Sequence, residues 1–209
     1  MASKIGLISD VHATPAPVRE ALSIFAREGV DTILCAGDIA GYGEQLAQTV
    51  AALADSECQS ILGNHDLWYL QRAEEEAAPD DLARRYFAAL PRVRTMELAG
   101  QRLYMVHASP PDSCMEGIKL LDENACLIPG NQANWHDYLR DFDYDILVVG
   151  HTHQVFAEDL GGTLVVNPGS SKFNHSCAIL HLPSQSFQVF ALSNQSPSKV
   201  WNWGQQPGA

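Results

Sequence analysis

Five short apolar runs in this chain end in the same few kinds of side chain. Ile5-Gly6-Leu7-Ile8 is closed by Asp10-Val11-His12, Thr32-Ile33-Leu34-Cys35 by Gly37-Asp38, and Ser60-Ile61-Leu62 by Gly63-Asn64-His65-Asp66. Leu103-Tyr104-Met105-Val106 is closed by His107, and Ile146-Leu147-Val148-Val149 by Gly150-His151-Thr152-His153. Runs of this length and composition read as buried strands, and ligands of open α/β sheets bind beyond the carboxyl ends of the strands. A turn that only reversed the backbone would need Asn-Gly or Asp-Gly. Asn64, His65 and Asp66 instead supply an amide oxygen, an imidazole and a carboxylate at one place.

The residues between these runs point the same way. Residues 15–28 read as a helix, with Val18, Leu22, Phe25 and Ala26 at three- and four-residue spacing, Pro15 in its first turn and Gly29 at its end. With strands at 4–9 and 31–36 it makes a βαβ crossover. A second helix is expected over 44–54 and a third strand over 58–62. Residues 67–90 read as two helices split by Ala78-Pro79-Asp80-Asp81 and forming a lid, with Trp68 and Tyr69 taken as packing residues rather than base-stacking ones. A hairpin at 93–98 and 101–106 turns at Ala99-Gly100, residues 109–130 read as irregular, and a helix over 133–140 precedes a strand at 145–149. Strands at 163–166, 177–182 and 186–192 follow. Helix-rich first half and strand-rich second half predict two sheets packed face to face with helices outside. Residues 1–193 are expected to form one domain, and 194–209 a polar tail pinned by Trp201 and Trp203.

A chain of 209 residues suits a single core, and no apolar run approaches the roughly 20 residues of a membrane span. The amino terminus leads directly into a strand, so a cytoplasmic location is the expectation. Cysteines at 35, 58, 114, 126 and 177 show no paired spacing and read as reduced thiols rather than nucleophiles. A net charge of −12 disfavours extended nucleic-acid binding. Arg84, Arg85, Arg92, Arg94 and Arg102 fall close together and read as a solvated face before an anion-binding one.

Five of the eight histidines lie at the strand ends. One alone would be an ordinary structural residue; five with Asp10, Asp38 and Asn64 make a candidate metal site. Carboxylate, imidazole and amide without thiolate suit divalent Mn, Fe, Co, Ni or Zn. On an extended segment His151 and His153 would point the same way about 7 Å apart, a spacing that serves two different ions. Asp38 is the natural bridging carboxylate between ions about 4 Å apart. The Gly41-Tyr42-Gly43 loop allows close backbone approach beside Asp38 and makes Tyr42 a candidate substrate contact.

This pattern resembles the calcineurin-like metallophosphoesterase superfamily, whose blocks run Asp-x-His, Gly-Asp, Gly-Asn-His-Asp/Glu, His and Gly-His-x-His; all five are present in order. Gly41-Tyr42-Gly43, Val106-His107-Ala108-Ser109-Pro110 and Asn167-Pro168-Gly169-Ser170 look like its small bacterial and archaeal phosphodiesterase branch. The resemblance implies a four-layer α/β/β/α sandwich of two mixed sheets flanked by helices. It implies one ion on Asp10, His12, Asp38 and His153, and a second on Asp38, Asn64, His107 and His151. It further implies that Asn64 and His65 meet the substrate phosphate, that His65 protonates the leaving oxygen, and that Asp66 orients its ring. The implied activity is hydrolysis of a small phosphodiester, phosphomonoester or nucleotide polyphosphate by a metal-bridging hydroxide, with a homo-oligomer allowed. Ala13-Thr14 and Ala108 depart from the commoner Gly-Asn and Gly, at positions that are not ligands. The Asp-Arg-Gly element of protein phosphatases is absent, which argues against phosphoprotein substrates. The alternative is a catalytically silent protein-binding scaffold on the same fold.

Overall fold

The computed structural model describes residues 2–76 and 81–201. Its elements run β1 (Ser3–Ile8), α1 (Pro15–Glu28), β2 (Thr32–Cys35), α2 (Leu46–Asp55), β3 (Gln59–Ser60), α3 (Asn64–Glu75), α4 (Leu82–Ala88), β4 (Val93–Leu98) and β5 (Gln101–Val106). They continue with α5 (Pro129–Leu139), β6 (Ile146–Val148), β7 (Val155–Leu160), β8 (Thr163–Pro168), β9 (Ser176–Leu182) and β10 (Ser186–Ala191). These strands form two mixed five-stranded sheets, ordered β10-β9-β1-β2-β3 and β4-β5-β6-β8-β7. In each sheet three adjacent strands run parallel, β1-β2-β3 and β5-β6-β8.

Side-chain alternation along the strands builds the layers. Ile5 and Leu7 of β1, Leu34 of β2, Leu103 and Met105 of β5, and Ile146 and Val148 of β6 share one core between the sheets. The other face of the first sheet packs against Val18 and Phe25 of α1, Val50 and Leu53 of α2, and Phe87 of α4. Gly6 makes room there, because a Cβ at that position would lie 2.8 Å from the Phe25 ring. The outer face of the second sheet, with Leu147 and Val165, packs against Leu139 and Trp135 of α5 and against Ile118 and Leu120 of the preceding loop. The result is the expected α/β/β/α order.

α1 starts at Pro15 and stops at Gly29, whose φ of 66° is the left-handed conformation that glycine adopts without penalty. Three local readings are corrected. Residues 64–66 are the first turn of α3, not a turn ahead of it, and Gly63 is its N-cap. α5 begins at Pro129, since a proline at the first helical position gives up only an N–H that has no partner anyway. β7 is an additional strand, antiparallel to β8. The break expected around 78–80 lies outside the described residues, as does Trp203. Among the described residues, no helix is long and apolar enough to cross a membrane.

Candidate metal centre

The parallel strands of both sheets end at one place. Asp10 and His12 follow β1, Asp38 follows β2 and Asn64 opens α3 after β3, while His107 follows β5 and His151 and His153 follow β6. Asp10, His12, Asp38, His151 and His153 all have positive φ, from 45° to 63°. Such a conformation is costly for a residue with a Cβ, and it persists where surrounding contacts over-determine it. Here the loops brace one another: the Asp10 N–H donates to the Gly37 carbonyl at 3.0 Å, the His12 N–H to that of Asp38 at 3.0 Å, and the Gly150 N–H to that of His107 at 2.8 Å. Two glycines permit the approach. A Cβ on Gly63 would fall 2.1 Å from Asp38 Oδ1, and one on Gly150 2.1 Å from Ser9 Oγ.

The side chains converge in two groups. Asp10, His12 and His153 offer ligand atoms within 4.8 Å of one another, and so do Asp38, His107 and His151. In the first group His153 Nε2 lies 3.1 Å from Asp10 Oδ1 and 3.3 Å from His12 Nε2. In the second, Asn64 Oδ1 lies 3.2 Å from His107 Nε2 and 3.0 Å from His151 Nδ1, and Asp38 Oδ2 is 3.4 Å from His107 Nε2. A third grouping of His12, Asp38 and His65 joins the two. The outer ring nitrogens are held by backbone. His12 Nδ1 faces the Ala40 carbonyl at 3.0 Å, His107 Nδ1 that of Ala36 at 2.6 Å, and His151 bonds to the backbone of Met115. Each of these bonds leaves the other nitrogen directed inward, the orientation a metal-binding histidine needs. Mixed oxygen and nitrogen donors without sulfur fit borderline-hard divalent ions, so the residues fit divalent metal. His151 and His153 reach different groups through two left-handed residues and not, as the spacing predicts, from an extended segment.

Charge is arranged to match. Burial alone would raise Asp10, but His153 beside it outweighs that and holds the carboxyl well below the usual range. Burial would also raise Asp38, and His107 reverses it. Conversely, burial would lower His107, yet Asp38 lifts it to about 10. Burial pushes His12 down to about 4, and lowers His65 and His151 as well.

His65 sits among rings, 5.1 Å from His12, 4.7 Å from Tyr42 and 4.8 Å from Trp68 between centroids. The expected partnership of Asp66 with that ring is corrected. Its buried carboxylate accepts from the backbone N–H groups of Gly63 at 2.9 Å, Ile39 at 2.9 Å and Ala40 at 2.7 Å. Asp66 therefore ties the loop carrying Asp38 to the start of α3. A supporting layer lies behind the ligands. Ser9 Oγ donates to Asp10 Oδ2 at 2.5 Å, Ser170 Oγ to the Asp10 carbonyl at 2.6 Å, Asn167 Nδ2 to that of Gly150 at 2.9 Å, and Asn174 Nδ2 to that of His153 at 3.0 Å. For Asn167, Ser170 and Asn174, the run of polar residues around Pro168-Gly169 at the end of β8 is the one signal that marks them. Two of the clustered arginines are engaged elsewhere: Arg102 pairs with Asp143, and Arg94 reaches the Ser60 carbonyl.

A family model described as the calcineurin-like phosphoesterase superfamily domain matches residues 4–185. The chain belongs to that superfamily. Within it, this chain is 27% identical over 168 residues to a probable metallophosphoesterase of Methanothermobacter thermautotrophicus, covering 79% of this chain and 76% of the relative. A hypothetical protein from Pyrococcus horikoshii shares its fold with a TM-score of 0.70 at 15% identity, over 94% of this chain and 89% of the other. A metallophosphoesterase from Sphaerobacter thermophilus does so with a TM-score of 0.68 at 23% identity, over 92% and 89%.

Proposed function

We propose that this phosphoesterase hydrolyses a small phosphodiester, phosphomonoester or nucleotide polyphosphate with two divalent ions. One is held by Asp10, His12, Asp38 and His153, the other by Asp38, Asn64, His107 and His151. The observation that carries the reading is the shared place of Asp38, grouped with His12 on one side and with His107 and His151 on the other. Bound there, the ions would supply Lewis acidity for phosphate oxygens and a hydroxide nucleophile near neutral pH. The chain's own residues do the rest. Asn64 turns Oδ1 toward His107 and His151, which leaves its Nδ2 donors for a phosphate oxygen. His65 stands beside Asp38 and is half-buried. An arriving phosphate favours its protonated form and lets it pass a proton to the departing oxygen. The glycines and the Asp66 anchor keep these groups in place before substrate arrives, so little reorganisation is left for the reaction.

The scaffold alternative is not favoured, because a protein-binding surface has no need of seven converging ligands and a histidine beside them. The test is metal analysis of protein purified without chelator, followed by assay on diesters, monoesters and dinucleoside polyphosphates with Mn, Fe, Co, Ni and Zn. Bound divalent metal and metal-dependent turnover are expected. Neither metal nor turnover would overturn the reading.

A further inference from the structure

We infer that the cleft running from His65 along α3 is a leaving-group subsite for a nucleoside, recognised by stacking on Trp68; this deepens, and rests on, the phosphoesterase reading. α3 presents His65, Trp68, Tyr69 and Arg72 to one cleft of about 470 Å³, with Tyr42 and Ala13 opposite. The spacing of three, four and seven residues puts these side chains on one helix face. α3 packs on the core through Leu67, Tyr69 and Leu70, whereas Trp68 is outside that cluster and 46% exposed. Of the two rings expected to pack, Tyr69 joins the core cluster and Trp68 does not. Tyr42 is 53% exposed, and both rings flank the His65 imidazole.

Position fixes what the cleft receives. His65 stands at the departing oxygen, so a group lying beyond it belongs to the leaving alcohol and not to the transferred phosphoryl. Trp68 lies about 5 Å further along the helix, one turn away, and Arg72 about another turn on. A flat ring with a polar edge matches this sequence of surfaces. The indole supplies a face for stacking, and the guanidinium supplies planar donors for ring nitrogen and carbonyl acceptors. Among the described residues, no ion pair or hydrogen bond occupies the Arg72 side chain. Ala13, one of the departures from the commoner family pattern, lines the same cleft.

The experiment compares leaving alcohols of equal acidity with and without the base. Adenosine 5′-phosphate is set against ribose 5-phosphate, and the methyl diesters of both against each other, with Mn-loaded protein. The nucleoside esters should show kcat/KM about tenfold higher, the order expected for a base on an aromatic face. Trp68→Ala should bring the ratio close to one, and Trp68→Phe should keep most of it; a general loss of fold or metal cancels in the ratio. Binding gives a readout independent of turnover: adenosine, and not ribose, should give a saturation-transfer NMR signal with wild type that disappears in Trp68→Ala. A wild-type ratio near one, or a ratio undiminished in Trp68→Ala, overturns the subsite while turnover of both esters upholds the phosphoesterase reading. An adenosine signal that depends on Trp68, with no ester hydrolysed, overturns that reading and supports the ring site.

Discussion

Divalent metal should bind the Asp38, His107 and His151 group about tenfold more tightly for each unit of pH between 7 and 9. In the metal-free protein His107 keeps a proton, because Asp38 Oδ2 lies 3.4 Å from Nε2 and lifts the imidazole to about 10 against the effect of burial. A metal needs the Nε2 lone pair, so that proton must leave on binding. With the imidazole lifted this far, most molecules carry the proton at pH 7.5, and apparent affinity lies well below its plateau. His12, at about 4, imposes no such penalty on the other group. Because the folded value lies above the unfolded one of about 6.5, the stability that protonated His107 adds is complete below that pH and is lost as pH rises through about 10. Titration calorimetry with Mn²⁺ at pH 7.5, in buffers of different ionisation enthalpy, should report close to one proton released at this group. Affinity flat from pH 7 to 9 with no proton release would refute the reasoning.

Three further outcomes follow from the same geometry. His65→Ala should keep its bound metal but lose turnover by about 100-fold or more on esters with poor leaving groups, as for other general acids; steady-state assay across leaving groups checks this, and an unchanged rate removes the role. Asp66→Ala strips the acceptor from three buried N–H groups and should cost about 3 kcal/mol or more, with Asp66→Asn costing less. Urea unfolding of metal-free protein separates this from a role confined to His65, which would lower turnover at unchanged stability. Gly63→Ala forces a methyl group to 2.1 Å from Asp38 Oδ1 and should destabilise by about 1–3 kcal/mol with loss of metal, read by thermal unfolding and metal analysis.

Much of this is legible in the sequence because buried strands and their ends carry strong local signals. Ile5, Leu7, Leu34 and Met105 have to be inside, and the polar residues closing those runs can then meet only at the sheet ends. β7 is harder to see. Its Glu158 and Asp159 interrupt the apolar run, and as the strand at the edge of its sheet, next to β8, it tolerates them. The start of α3 is hard to place because Asn64 and Asp66 are good turn formers, and the capping bond from the Gly63 N–H to Asp66 decides between turn and helix. Chain order pairs Asp66 with His65, whereas two of its three partners, Ile39 and Ala40, are 27 and 26 residues away. Ser9, Ser170 and Asn174 act on backbone carbonyls or on a neighbouring carboxylate, interactions that leave no spacing to recognise.

In the proposed centre Asp38 stands between two ions held by one set of side chains. Manganese reconstitution followed by metal analysis and electron paramagnetic resonance tests it most directly. Two ions per chain with the spectrum of an exchange-coupled pair is the predicted result; a single ion, or two that are magnetically independent, would contradict it.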